Sequence, residues 1–183
     1  MTTQRSASLS SRDITQIGLA AALIAILAQI SIPMPAGVPM TLQTFAIPFV
    51  GIILGSKKGT IAAVIYVLLG AVGLPVFAGF KGGLGIVLGL TGGFIVSFPI
   101  MAFLAGLGLE MGGTVRLYAG LVAGAVINYI IGTCWFVVAA HSTFAAAFAA
   151  CVLPFIPTAI IKIILAGIIG KKVRELLIKA GAI

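Results

Sequence analysis

The chain consists mainly of long apolar stretches that contain no charged residue. Four of them lack Asp, Glu, Lys and Arg altogether: residues 14–56, 59–80, 82–109 and 117–161. A membrane-spanning helix needs about 20 predominantly apolar residues, so the longer stretches can each hold more than one span. The apolar residues are continuous and do not alternate at every second position, which favours helices over half-buried strands.

Proline and glycine divide these stretches into separate helices. Pro33, Pro35 and Pro39 cannot all lie inside one helix, and nine glycines together with Pro75 interrupt residues 70–93. The last stretch is broken at His141 and the two residues after it, and again at Pro154 and Pro157. We therefore predict an all-α membrane protein with six transmembrane helices, at roughly 14–32, 41–56, 59–74, 92–109, 117–140 and 154–174.

Composition narrows the class of protein further. Of the 183 residues, 61% are hydrophobic and only 8% are charged, whereas about 25% charged residues is usual in a soluble domain. A soluble enzyme and a disordered chain are both excluded, since disorder requires low hydrophobicity. We expect a polar cytoplasmic tail over residues 1–13 and a single transmembrane domain over residues 14–183.

The basic residues predict the orientation of the helices. Nine of the 11 lie on one side of the six predicted spans: Arg5, Arg12, Lys57, Lys58, Arg116, Lys171, Lys172, Arg174 and Lys179. Positive residues collect on the cytoplasmic side, so we expect both termini in the cytoplasm of a prokaryotic cell and the segments 31–40, 75–91 and 141–153 outside. The net charge of +8 then reflects orientation and attraction to anionic lipids, and no nucleic acid partner is needed.

The chain has little material for catalysis. It contains one His and three acids, and Asp13, Glu110 and Glu175 all fall at cytoplasmic helix ends. Cys134 and Cys151 are isolated, with no spacing typical of a metal site or a disulfide framework. No glycine-rich segment continues into a phosphate-loop motif. We therefore predict no enzyme activity, catalytic residue, metal or cofactor, and any use of ATP would depend on a partner.

Lys162 is the most informative charged residue. It follows Pro157 by five positions and so lies inside the last predicted span, near the outer end. A cation within a span is costly and marks a substrate or ion path, although a lysine can also extend to the headgroups. No acid precedes it within a turn, and the N-terminal end of a helix repels a cation. An anionic or strongly polar ligand arriving from outside fits this position.

The outer segments supply further polar and aromatic groups. A glycine-rich segment flexible enough to form a lid follows the third span, although it is equally typical of a mobile connection. On the fifth predicted helix, Asn128 and Trp135 are seven positions apart and therefore share a face. Aromatic walls with few polar groups suit a small apolar ligand. Tyr and Trp near a helix end also serve as anchors at the membrane interface. The candidate binding residues are Thr41, Gln43, Lys81, Gly83, Gly85, Thr91, Asn128, Tyr129, Trp135 and Lys162.

Several segments, taken in order, resemble a known family. Residues 38–43 (VPMTLQ), 73–79 (GLPVFAG), 82–85 (GGLG) and 89–93 (GLTGG) are similar to the signature stretches of the biotin-specific substrate-binding component of energy-coupling factor transporters. Gly132 with Trp135, and Pro157 with Lys162, are similar too. The likeness extends over nearly the whole chain.

This resemblance implies a six-helix bundle with a biotin site near the outer face, closed by the loops after the first and third spans. It also implies a transmembrane coupling subunit and two cytoplasmic ATPases of the ABC type as partners. In that family small residues of the first helix form the docking face, which corresponds to Ala21 and Ala25 here. One position departs: many members carry Asp where this chain has Ala159.

Biotin binding from outside is accordingly the function that the sequence predicts. Two alternatives stay open at this point. The same scaffold could carry another vitamin or a small carboxylate, because Ala159 replaces the family's acid. The chain could also be a membrane assembly protein that binds no small ligand.

Overall fold

The computed structural model describes residues 9–183, so Arg5 and most of the predicted polar tail lie outside the described residues. The helices are α1 (Ser11–Ala28), α2 (Gln43–Ala71), α3 (Leu84–Val87), α4 (Gly92–Glu110), α5 (Thr114–Ala139), α6 (Phe144–Cys151) and α7 (Ile156–Lys179), with a 3₁₀ turn at Leu153–Phe155. Two short antiparallel strands, β1 (Ser31–Ile32) and β2 (Met40–Thr41), pair Ser31 with Thr41 and Ile32 with Met40.

Helix α2 is a hairpin of two arms. Gly55 has φ 85° and ψ 173°, a non-helical conformation that is accessible essentially to glycine alone. A Cβ on Gly59 would lie 2.6 Å from the Cα of Gly51, whereas eight residues of a straight helix span about 12 Å. The chain therefore reverses at Gly55, and residues 43–54 and 56–71 pack against each other.

This reversal accounts for the number of helices. Within residues 9–183, five helical segments are long and apolar enough to cross a membrane, counting residues 144–179 as one. The second of them contains both arms of α2. The prediction of a six-helix, all-α membrane protein is confirmed, with the second and third predicted helices joined into one hairpin. The segment 141–153, predicted as a loop, is instead largely helical, because Thr143 caps α6 by accepting from the backbone N–H of Ala146.

Polar groups from two other helices stabilise the hairpin bend. The carboxylate of Glu110 accepts from the backbone N–H of Ser56 at 2.7 Å and from its hydroxyl at 2.6 Å. The Arg174 guanidinium donates to the carbonyls of Ile52 and Ile53 at 3.2 and 2.6 Å. An anion thus meets the start of the second arm and a cation the end of the first, as the helix dipoles favour.

Most of the charged residues of the described chain gather at this end of the bundle, which we call the charged end. Asp13, in a capping box with Ser10 at the start of α1, forms an ion pair with Lys58 beyond the bend. Gln16 of α1 also donates to the carbonyl of Ala182. The beginning of α1, the bend of α2 and the end of α7 therefore meet, which leaves the opposite end of the bundle to the loops.

Small residues set the close packing, and large apolar residues face outward. A Cβ on Gly106 would lie 2.3 Å from the backbone N of Ser56, and one on Gly120 would lie 2.3 Å from the Leu104 carbonyl, so glycine brings α4 against α2 and against α5. Exposed positions include Leu19, Ile130 and Ile168, which are 68%, 57% and 57% exposed. An apolar exterior over a close-packed interior fits a multi-pass membrane protein.

Candidate ligand-binding site

A cavity of about 250 Å³ opens at the end of the bundle opposite the charged end. Its volume lies just below the usual range of roughly 300–1,000 Å³ for ligand pockets, so it suits a small molecule. The loops before α2 and α4 meet α4, α5 and α7 here. The lining residues are Gly37, Val38, Pro39, Thr41, Gln43, Thr44, Phe77, Ala78, Lys81, Gly85, Ile86, Gly89, Leu90, Thr91, Phe94, Ile95, Phe98, Asn128, Tyr129, Cys151, Phe155 and Lys162.

The structure brings most of the candidate binding residues to this cavity. Those that line it are Thr41, Gln43, Lys81, Gly85, Thr91, Asn128, Tyr129 and Lys162. They come from positions up to 121 residues apart, since Lys162 bonds to Thr41. Two candidates, Gly83 and Trp135, lie outside the lining.

Lys162 reaches from α7 to the start of α2. Its ammonium donates to the carbonyl of Thr41 at 2.7 Å and to the hydroxyl of Thr44 at 3.1 Å. Both partners are neutral, and all three acids of the chain lie at the other end of the bundle. Because a lysine has three N–H donors, one remains for a ligand oxygen, and the cation remains without a counter-ion.

Asn128 offers the complementary group, an acceptor. It is only 2% exposed, and its Nδ2 donates to the carbonyl of Phe94 at 2.9 Å and to the hydroxyl of Ser97 at 2.8 Å. These bonds fix the orientation of the amide, because a carbonyl can only accept. The side-chain oxygen accepts no hydrogen bond from residues 9–183, so it is available to an N–H of a ligand.

Gln43 lines the cavity and is bonded within the protein through both ends of its amide. Its Oε1 accepts from the hydroxyl of Thr41 at 2.9 Å, and its Nε2 donates to the hydroxyl of Tyr66 at 2.6 Å. Tyr66 in turn donates to the carbonyl of Val76 at 3.1 Å. This buried chain of bonds joins the start of the first α2 arm to the end of the second and to the glycine-rich loop, and so shapes the cavity wall.

Trp135 supports the cavity from behind. Its indole N–H donates to the carbonyl of Gly89 at 2.9 Å, and its ring lies so close to Gly93 that a Cβ there would be 2.4 Å from the Cβ of Trp135. Gly83 has φ 96° and donates from its backbone N–H to the Gly70 carbonyl at 2.7 Å. These two residues position the loop and the start of α4, and we expected them in the wall itself.

The aromatic wall comes from residues that the sequence analysis did not single out. Phe77, Phe94, Phe98 and Phe155 line the cavity and are each less than 10% exposed. For α4 a signal existed, because Thr91, Phe94, Ile95 and Phe98 follow the spacing of a single helix face. For Phe77 none existed, since its ring is placed by the loop against Gly70 and Tyr66.

The two alanines expected to dock a partner differ in exposure. Ala21 is 3% exposed and belongs to the central core, whereas Ala25 is half-buried. The exposed side of α1 carries Gly18 and Ala22, with nothing within 4 Å of a Cβ added to Gly18. Small residues are thus present on the exposed side of α1, at Gly18 and Ala22, whereas Ala21 points into the core.

The fold and cavity have counterparts among known proteins. The BioY family model matches residues 1–179. A probable biotin transporter BioY of Pyrococcus horikoshii is 42% identical, covering 91% of this chain and 98% of that protein. The biotin transporter BioY of Thermotoga maritima is 39% identical, covering 90% of this chain and 97% of that protein.

A solved structure is similar over the same length. The S-component for biotin from an ECF-type ABC transporter superposes with a TM-score of 0.82 at 27% identity, covering 96% of this chain and 95% of that one. The predictions of a transporter component and of no enzyme activity are confirmed by these relatives. Because the family model matches nearly the entire chain and the six-helix architecture agrees with it, the chain belongs to the BioY family.

Proposed function

We propose that the protein is the biotin-binding membrane component of a vitamin uptake transporter. The observation that carries this proposal is the pairing of unused polar groups in one small aromatic cavity: the ammonium of Lys162 without a counter-ion and the free oxygen of Asn128. Biotin combines a carboxylate and a ureido carbonyl, which accept, with two ureido N–H groups, which donate. Its sulfur-containing ring and its aliphatic chain are apolar and suit the phenylalanine walls.

The acceptor on α5 bears on the departure at Ala159. Ala159 borders a second, much smaller space of about 10 Å³, together with Asn128, Tyr129 and Thr44. In this chain the side chain at 159 supplies no acceptor, whereas Asn128, which borders the same space, has a side-chain oxygen that accepts no hydrogen bond from residues 9–183. We assign the recognition of a ligand N–H to Asn128 for this reason.

Uptake would require partners that supply energy. We propose a transmembrane coupling subunit and two cytoplasmic ABC-type ATPases, as in the ECF-type transporter whose S-component is similar. In this arrangement the cavity opens outward, and the end with Lys58, Glu110 and Arg174 faces the cytoplasm of a prokaryotic cell. We propose that the exposed side of α1, with Gly18 and Ala22, is the docking surface for the coupling subunit, because Ala21 is buried.

Titration of the purified protein with biotin tests the proposal. The chain has a single tryptophan, and Trp135 donates to Gly89 in the cavity wall, so its fluorescence reports on the site. We expect Lys162→Met to weaken biotin binding at least tenfold, because a hydrogen bond to a charged group contributes about 1.5–3 kcal/mol. Lys171→Met, on the same helix at the charged end, should bind as the parent does.

Two results would contradict the proposal. Lys162→Met binding within twofold of the parent would show that this cation does not contact the ligand. A vitamin panel distinguishes the alternatives, since a ligand at 100 times its Kd stabilises the protein by about 2.7 kcal/mol. A thermal shift with another vitamin and none with biotin would identify that vitamin as the ligand. No shift with any vitamin of the panel would favour a membrane assembly protein.

A further inference from the structure

The glycine-rich loop over the cavity contains a tight turn with an unusual backbone. Phe77 and Lys81 exchange backbone hydrogen bonds, at 2.9 and 3.3 Å, and enclose residues 78–80. Gly79 and Phe80 both have positive φ, 71° and 55°, and the left-handed region is unfavourable for a residue with a bulky side chain. Phe80 is 72% exposed, so packing of its ring does not hold this conformation.

Gln29, at the outer end of α1, holds this turn from both sides. Its Oε1 accepts from the backbone N–H of Phe80 at 2.8 Å, and its Nε2 donates to the carbonyl of Val76 at 3.2 Å. The same Nε2 donates to the carbonyl of Ala25 at 2.9 Å, one of the last-turn carbonyls that a helix leaves without an internal partner. Both N–H donors of the amide are therefore used, and its oxygen accepts one hydrogen bond.

The turn is part of the cavity wall. Phe77, Ala78 and Lys81 line the cavity, and the Phe77 ring is 2% exposed, packed edge-on against Tyr66. One side of the turn is thus fixed to α2 through Phe77 and through the bond from Tyr66 to Val76. The other side, at Phe80, is fixed to α1 through Gln29.

We infer that Gln29 is a latch that positions residues 76–81 over the bound ligand and makes their position depend on the outer end of α1. Any partner that tilts or shifts α1 would thereby loosen the wall of the cavity. The inference rests on the proposed function for its ligand, but the contact between α1 and the turn stands independently of which ligand is bound.

Dissociation kinetics of biotin test the latch. We expect Gln29→Leu to release biotin about tenfold faster than the parent, with the association rate changed less than threefold. The substitution removes the bonds to Val76 and Phe80, which hold the cavity wall in place while the ligand is bound. Gln16→Leu is the matched control, since Gln16 lies on the same helix and bonds to Lys58 and Ala182 at the charged end. Its dissociation rate should equal that of the parent.

Hydrogen exchange on the ligand-free protein gives a second readout. Gln29→Leu should speed exchange in residues 76–81, including the Phe80 amide, and leave residues 62–70 of α2 as in the parent. Gln29→Glu keeps an acceptor for Phe80 but loses the donor to Val76. Its exchange rate in residues 76–81 should therefore lie between those of the parent and of Gln29→Leu.

The outcomes separate the latch from the proposed function. If the parent binds no biotin, the proposed function fails, and the exchange of residues 76–81 alone decides the latch. If the parent binds and Gln29→Leu releases biotin within twofold of the Gln16→Leu rate, the latch is refuted. Unchanged exchange in residues 76–81 would refute it as well.

Discussion

At the scale of single residues, the chemistry of the cavity depends on which atoms the protein has left unused. Asn128 and Gln43 are both buried amides. Among residues 9–183 the side-chain oxygen of Gln43 has a partner, Thr41, whereas that of Asn128 has none. A hydrogen bond contributes about 0.5–1.5 kcal/mol net. A ligand N–H that pairs with the Asn128 oxygen adds one such bond, which makes this residue a determinant of specificity.

We predict that Asn128→Leu weakens biotin binding about tenfold, which corresponds to about 1.4 kcal/mol. Thr133→Val is the matched control, because Thr133 is equally buried on α5, lies outside the cavity lining and has a hydroxyl without a partner among residues 9–183. Calorimetric titration gives both affinities, and thermal unfolding shows whether either variant has lost stability.

A ligand analogue sharpens the assignment of Asn128. Biotin methylated on its ureido nitrogens lacks the donors, so the parent should bind it more weakly than biotin. Asn128→Leu should show little further discrimination between the two ligands, because interacting groups are not additive. If Asn128→Leu discriminates as strongly as the parent does, the acceptor lies elsewhere.

At the scale of elements, the bend of α2 is what brings the site together. Gln43 and Tyr66 are 23 positions apart in α2 yet bond at 2.6 Å, which a straight helix would not allow because it would separate them by about 34 Å. The bend at Gly55 places the two arm ends side by side at the cavity. Its polar partners, Glu110 and Arg174, come from α4 and α7.

We predict that Gly55→Ala destabilises the folded protein by at least about 2 kcal/mol. The backbone at φ 85° is strained for alanine by about 1–3 kcal/mol, and the added Cβ would meet Glu110 Oε1 at 2.6 Å. Thermal unfolding in detergent measures the effect.

Gly18→Ala provides the control for that substitution. Gly18 lies within helix α1, and a Cβ there meets nothing within 4 Å, so alanine should raise stability by up to about 1 kcal/mol through helix propensity. Equal stability of Gly55→Ala and the parent would mean that the bend is not set by this glycine.

At the scale of the whole molecule, the two ends of the bundle have separate tasks. The charged end holds the hairpin bend and the ends of α1 and α7 together, and the other end holds the cavity. Helix α1 connects them. On its exposed side, a Cβ added to Gly18 would meet nothing within 4 Å among residues 9–183, and its end near the cavity holds the cavity turn through Gln29.

We predict that Ala22→Trp abolishes co-purification with the transmembrane coupling subunit while biotin binding by the isolated protein stays within twofold. A bulky ring on the exposed side of α1 would keep another helix from close approach. Ile130→Trp, at a 57% exposed position on α5, should co-purify as the parent does. Loss of the partner from both variants, or from neither, would place the docking surface elsewhere.

Particular residues show how far the sequence alone could lead. Lys162 was identifiable because a cation among apolar residues is conspicuous, and the structure places it in the cavity wall. Trp135 was expected to line the cavity on the spacing that puts it on the face of Asn128, yet it contacts the wall from behind through Gly89. Two residues on one face are still two turns apart along the axis, and only packing decides which of them reaches the ligand.

The sequence by itself determined that the chain is a multi-pass membrane protein with six spanning helices and that most of its charges sort to one side. These properties follow from transfer free energies and from breaks by proline and glycine, which act locally. Only the tertiary structure decided which atoms meet. The reversal at Gly55, the burial of Ala21 and the phenylalanine wall depend on how closely glycine lets helices approach. That approach joins residues far apart in the chain, so no local pattern records it.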